Sequence, residues 1–360
     1  MTTRISRIIR FAVVVLTLST VFISCSNKKA DTAEAKSVTI TGAGSSFDNP
    51  LFSKMFASYY DSTKVQVNYQ SVGSGAGISQ LINKTVDFGA SDAPMNSKQD
   101  SAAVAPVLHI PVTAGAVVIS YNLPEVKETL QFTPNIIADI FLGKITKWND
   151  ATIAAANPGV KLPQTPIIVT HRSDGSGTSA IFTSYLSKVS PEWQTKVGAG
   201  TAVNWPAGLG GKGNEGVSGL IQQTPGGIGY IELAYAIQNK MPYATVQNKA
   251  GNFIVPSIQS VTAAANINIP ADGKILLTDT NAPDGYPIAG FSWVILFKDQ
   301  AYGNRTQEQA AQLVQLINLM IHEGQRYGAD LHYAPLSNAA VTVGENLLKS
   351  ATYNGQPILK

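Results

Sequence analysis

Cysteine and histidine are scarce: the 360 residues hold one cysteine, Cys25, and four histidines. A lone cysteine excludes an intrachain disulfide framework. His109, His171, His322 and His332 show no ligand spacing such as H-E-x-x-H, so the sequence offers no metal centre. Charge is sparse too, at 14% of residues. Three of the 26 basic residues, Arg4, Arg7 and Arg10, sit at the extreme N-terminus, where no acid accompanies them. Without them, 23 basic residues face 23 acidic ones. That balance argues against a nucleic-acid partner, which would want a basic face. The apolar run FAVVVLTLSTVFI, residues 11–23, has thirteen residues, whereas a membrane-spanning helix needs about 20.

What the short run does fit is a secretory signal over residues 1–24: a basic start, a brief apolar stretch, then FISCS around Cys25. No A-x-A-like site is visible. The cysteine instead stands where a bacterial lipobox places its lipidated residue, with Phe22 where leucine is usual. Lipidation at Cys25 is therefore expected, anchoring the chain to the outer or periplasmic side of a bacterial membrane. SNKKADTAEAKS follows, and residues 25–37 read as a polar, flexible, lipidated tether.

Beyond the tether, 31 glycines and 19 prolines punctuate the chain. VTITGAGSSF, VQVNYQSVGSGAG, VDFGASD and PIIVTHRSDGSGTSAIF each run from an apolar or alternating strand into a glycine-rich turn, most of them leading into a helix. Asp48 or Asn49 is placed to cap the first helix, with Pro50 in its first turn. Repeated strand–turn–helix units predict an α/β fold with largely parallel sheets, whose ligands sit beyond the carboxyl ends of the strands.

Three of the turns, GAGSSF, VGSGAG and SDGSGTS, combine glycine with hydroxyl residues just before a helix. Glycine admits a ligand close to the backbone, and unpaired helix amides with their dipole favour an anion. Each turn alone is also an ordinary helix cap. Three together, with Arg172 supplying a full positive charge and Asp174 orienting its fork, point to a site for a tetrahedral oxyanion. The bland alternative for Arg172 and Asp174 is a solvated surface pair, and for Asp92 a strand-end turn.

TGAGSSF, VNYQSVGSGAG, TVDFGASDAPM, FLGKITKWND, RSDGSGTS, WPAGLGGKGNEGV, GGIGYIELAYA and YPIAGFSWVILFKDQ, in this order, make the chain resemble the phosphate-binding components of bacterial ABC phosphate importers. The resemblance implies a two-lobed periplasmic-binding-protein fold of the Venus-flytrap type II class with a two-stranded hinge. One lobe would comprise residues 38–113 plus 289–360 and the other 114–288, with crossings near Thr113 and Ile288. It implies inorganic phosphate as ligand and no cofactor. Ser46, Phe47 and Ser74 would bind from one lobe, and Arg172, Ser176, Gly177 and Thr178 from the other, with Asp174 behind Arg172. Asp92 would be the acidic contact that accepts a proton from the ligand. Phosphate carries such a proton near neutral pH and sulfate does not, so a buried acceptor would reject sulfate. Ser46 stands where threonine is common. The implied partners are the membrane subunits of an ABC permease with their ATPase, and the chain is expected to act as a monomer. WPAGLGGKGNEG, residues 205–216, is shared with the family without an evident role, and Lys212 at its tip reads as a solvated charge.

An enzyme is the rival class. His171, Asp174 and Ser176 are too close in sequence for triad geometry, and G-x-S-x-G is absent around Ser176. GLGGKGN lacks the P-loop spacing. Binding of another oxyanion such as sulfate, molybdate or tungstate is a second rival, which Asp92 opposes. A phosphate-sensing surface protein is a third.

Overall fold

The computed structural model describes residues 38–359. The expected signal, Cys25 and the tether lie outside the described residues. In chain order the main strands are β1 (Thr39–Gly44), β2 (Gln66–Ser71), β3 (Phe88–Ser91), β4 (Val107–Tyr121), β5 (Gln131–Phe132), β6 (Ile168–Arg172), β7 (Leu209–Gly211), β8 (Gly227–Glu232), β9 (Thr245–Gln247), β10 (Phe253–Ile254) and β11 (Ala289–Phe297). Eight of them form one sheet in the order β2-β1-β3-β11-β4-β8-β6-β7, and β10-β9-β5 form a small second sheet. Among the described residues no helix is long and apolar enough to cross a membrane.

The sheet is parallel at both ends and antiparallel in the middle. β1 runs parallel to β2 and β3, and β6 runs parallel to β7 and β8. Between these groups β11 pairs antiparallel with both β3 and β4, and β4 pairs antiparallel with β8. The largely parallel sheet expected from the repeated units therefore holds for each end, not for the centre. β4 makes the join: Val107–Ala116 pair with β11, and Val117–Tyr121 pair with β8. From Leu108 onward every residue of β4 is buried, as a strand covered on both faces must be. A register shift lies between Ser292 and Trp293 of β11, opposite Thr113 and Pro111, so that Val112 is the extra residue of a bulge.

Helices leave the carboxyl ends of the parallel strands as the glycine turns predicted. Asn49–Thr63 follows β1, Ser74–Ile82 follows β2, Gly177–Val189 follows β6 and Gly213–Gln223 follows β7. In the first of these, Leu51, Phe52, Met55, Phe56 and Tyr59 form the buried face, at the spacing of a single helical stripe. Asp48 occupies the N-cap with Pro50 in the first turn, but its side chain makes no cap hydrogen bond. It turns inward instead, toward Ser292 of β11.

Candidate oxyanion-binding site

The four turns converge. Ser46, Phe47, Ser74, Asp92, Arg172, Ser176, Gly177 and Thr178 are all buried, although six of the eight are polar or charged. The turn after β2 meets the turn after β6 directly: the Gly75 amide donates to the Gly175 carbonyl at 2.8 Å, and the Gly177 amide donates to Ser74 Oγ at 3.1 Å. A Cβ added at Gly177 would lie 2.5 Å from both Ser74 Oγ and Asp92 Oδ2, so only glycine permits this approach.

Arg172 ends β6. Its backbone amide donates to the Tyr230 hydroxyl, and its guanidinium makes a two-pronged contact with Asp174, Nε to Oδ1 at 2.8 Å and Nη2 to Oδ2 at 2.6 Å. Nη1 donates to Thr178 Oγ1 at 3.2 Å. The Arg172 side chain is 1% exposed and that of Asp174 12%, so the pair is not a surface contact. Burial works to raise the Asp174 carboxyl, but the bonds from Arg172 outweigh it and hold it below the ordinary carboxylate value. A carboxylate bonded to both Nε and Nη2 fixes the plane of the fork and leaves its other edge turned toward Thr178.

Four hydroxyls show a common pattern. Ser46 Oγ accepts from the Asn214 amide at 3.1 Å and from Asn214 Nδ2 at 3.0 Å. Ser74 Oγ accepts from the amides of Asp92 and Gly177. Thr178 Oγ1 accepts from Arg172 Nη1 and Asn214 Nδ2. Ser176 Oγ caps its helix by accepting from the Ser179 amide at 3.0 Å. A hydroxyl has two acceptor positions and one proton. With its oxygen already accepting, each of the four presents that proton as a donor. Four buried hydroxyls with a proton left to donate, one guanidinium and three helix N-termini thus lie together in the converging turns.

One acceptor faces these donors. Among the described residues the hydrogen bonds to the Asp92 carboxyl fall on Oδ1, from Ser45 Oγ at 2.5 Å and Ser292 Oγ at 2.8 Å, while Oδ2 points toward Gly177. Burial pushes the Asp92 carboxyl up to about 6, against the pull of the two serines and of the Arg172 charge. The Phe47 amide donates to Ser45 Oγ at 3.0 Å, and the Phe47 carbonyl accepts from the Tyr333 hydroxyl, so this turn is pinned from both sides.

Sequence reasoning missed several residues of the site. Asn214 bridges Ser46 to Thr178 and also accepts from the Glu232 amide. The loop over residues 205–216 gains a role: Trp205 stacks on His171 at 4.9 Å between ring centres and on Tyr230 at 5.5 Å, bracing the strand that carries Arg172. The Gly213 amide donates to Asp174. Lys212 is exposed, as a solvated loop tip should be. Ser292 had one available signal, a lone hydroxyl inside the apolar run of β11.

Residues 30–320 match the model of the PBP superfamily domain. Over 307 residues the chain is 45% identical to the phosphate-binding protein PstS of Xylella fastidiosa, covering 84% of this chain and 83% of that one. It is 42% identical over 306 residues to the phosphate-binding protein PstS of Haemophilus influenzae, covering 84% and 90%. In fold it is similar to the high affinity periplasmic phosphate-binding protein PfluDING, solved bound with phosphate. That likeness has a TM-score of 0.67 and 19% identity over 89% of this chain and 100% of that one.

Proposed function

The chain belongs to the PstS phosphate-binding proteins of the PBP superfamily, and on that premise we propose that its buried locus grips one inorganic phosphate ion and releases it to an ABC permease. Its role is binding and delivery, not catalysis. The observation that carries the assignment of residues is the set of four hydroxyls, at Ser46, Ser74, Ser176 and Thr178, whose oxygens accept from protein donors and whose protons are left to donate. Phosphate supplies acceptor oxygens to them and to Arg172. Its own proton goes to Asp92 Oδ2. Phe47 closes the first turn, and Asp174 holds Arg172 in plane.

The two lobes in this reading are residues 38–113 with 289–360, and 114–288. The crossings are at Thr113 in β4 and at Ile288 before β11. The bulge at Val112 opposite Ser292 and Trp293 supports a bend there. Cys25 carries a lipid that tethers the monomer to the cell envelope; Cys25→Ala should move the protein from the membrane fraction to the soluble one.

Titration calorimetry of the soluble chain tests the site. Phosphate and arsenate should bind, and sulfate should not. Arg172→Ala leaves the carboxylates of Asp92 and Asp174 in a buried anion site without their cation. A loss of about 3 kcal/mol or more, at least a hundredfold in affinity, is expected. An unchanged affinity would remove Arg172 from the site.

A further inference from the structure

Behind Asp92 lies a second buried carboxyl that the binding site does not touch. Asp48 is 0% exposed. Its Oδ2 makes a short contact with Ser292 Oγ, whose other neighbours are Asp92 Oδ1 at 2.8 Å and, at the longer distance of 3.3 Å, the Ser91 carbonyl. Its Oδ1 is buried with no hydrogen-bond partner among the described residues. Asp48 holds the N-cap position yet does not use its side chain as a cap. The sequence places an acid at a helix start, and the structure spends it elsewhere.

One proton decides what this arrangement does. Ser292 has a single hydroxyl proton and two carboxyl oxygens within reach, so it donates to one and must accept from the other. Two carboxylates sharing a buried site do not both ionise. Asp92 is the better seat for the charge. It takes hydroxyl donors from Ser45 and Ser292 on one oxygen, and the Arg172 charge favours its ionised form. Ser45 also approaches Asp48, but its proton is committed to Asp92 at 2.5 Å. The other titratable groups whose charges reach Asp48, namely Glu232, Tyr69 and Tyr333, bring no cation to it. Burial and the Asp92 charge both act to keep Asp48 protonated.

We propose that Asp48 is a neutral, proton-holding positioning residue whose carboxyl donates to Ser292, so that Ser292 donates to Asp92 and Asp92 is kept an acceptor for the ligand's proton. Selectivity for a protonated oxyanion is then set three hydrogen bonds away from the ligand. The inference rests on the phosphate reading above. Without Asp48 the Ser292 hydroxyl is free to turn away, and Asp92 loses one of the two donors that hold it ionised.

Three measurements decide it. Infrared difference spectra of the ligand-free protein, wild type minus Asp48→Asn, should contain the carbonyl band of a protonated carboxylic acid that shifts in heavy water. Asp48→Asn also keeps a neutral donor to Ser292, so the ratio of phosphate to sulfate affinity should stay near that of the wild type. Ser292→Ala breaks the chain of bonds, and the loss of one donor should lower that ratio about fivefold or more. Absence of the infrared band, loss of sulfate discrimination in a folded Asp48→Asn, or a smaller effect of Ser292→Ala overturns the proposal. If Asp48→Asn does not fold, Ser292→Ala decides alone. If the wild type takes up no phosphate, the functional reading fails while the infrared band still reports where the proton sits.

Discussion

At the scale of single residues, the site is a set of assigned donors and one assigned acceptor. Arg172 and Asp174 are legible in the sequence as a pair because they stand two residues apart, and the structure joins them by a bidentate contact; their burial was not legible. Asp92 is legible as an acid but not as an acceptor, because its orientation comes from Ser45 and Ser292, which lie 47 and 200 residues away. No local pattern encodes that. Its role gives a sharp expectation. In Asp92→Asn the amide oxygen keeps the serine bonds and the NH2 group faces the ligand, so an acceptor becomes a donor. Phosphate affinity should fall and sulfate affinity rise; competition calorimetry that found sulfate still excluded would assign the discrimination to another group. The wild type should show a milder version with pH. Since burial lifts Asp92 to about 6, its acceptor role is complete above that value and is lost as pH falls through it, so sulfate exclusion should weaken in that range.

At the scale of elements, the strand–turn–helix units were readable because alternation, glycine and caps act within a few residues. What was not readable is which turns touch. Gly177 shows the difference: in sequence it is a helix start, in space it packs against Ser74 and Asp92 of two other turns. Gly177→Ala places a methyl group against Asp92 and Ser74. Because the clash is across the cleft rather than within one lobe, circular dichroism and cooperative melting should survive while phosphate affinity drops by roughly two orders of magnitude, about 3 kcal/mol. Normal binding by this variant would mean that the two turns do not meet when the ligand is held. β4 carries a separate expectation. His109 is buried, with Nε2 accepting from the Met95 amide at 3.1 Å, and burial lowers it to about 4. The unfolded chain takes up this proton near 6.5, the folded one only near 4, so the contribution is whole above 6.5 and is lost as pH falls toward 4. The loss is on the order of 3 kcal/mol. His109→Gln keeps an acceptor at the Nε2 position without a titrating group. Urea melts should show a shallower acid decline than in the wild type, and parallel curves would assign that decline to other groups.

At the scale of the whole molecule, the repeated units pointed to an α/β fold and the family resemblance to two lobes, but the single sheet that runs through both follows from β4, which no repeat announced. A strand of fifteen residues that pairs with β11 over one part and β8 over the other ties the halves together at one edge of each. At the binding turns the described hydrogen bonds across the cleft are few and polar: Asn214 to Ser46 by its amide and by Nδ2, Tyr235 to the Ser46 carbonyl, Gly177 to Ser74, and Gly75 to Gly175. A neutral hydrogen bond contributes only about 1 kcal/mol net. Such bonds close the lobes only weakly, whereas an anion that bonds to both sides adds charge-assisted contacts to each. Ligand binding and closure should therefore be one event. Small-angle scattering should show the radius of gyration falling when phosphate is added to the stripped protein. At a phosphate concentration a thousandfold above the dissociation constant, mass action contributes about 4 kcal/mol, which should raise the melting temperature by roughly 5–10 °C. Sulfate should do neither, and Arg172→Ala, which binds at least a hundredfold more weakly, should show a clearly smaller shift at the same phosphate concentration. A protein that gains the thermal stability without contracting would bind phosphate in lobes that are already closed, and the closed form would then be held by contacts within the protein rather than by its cargo.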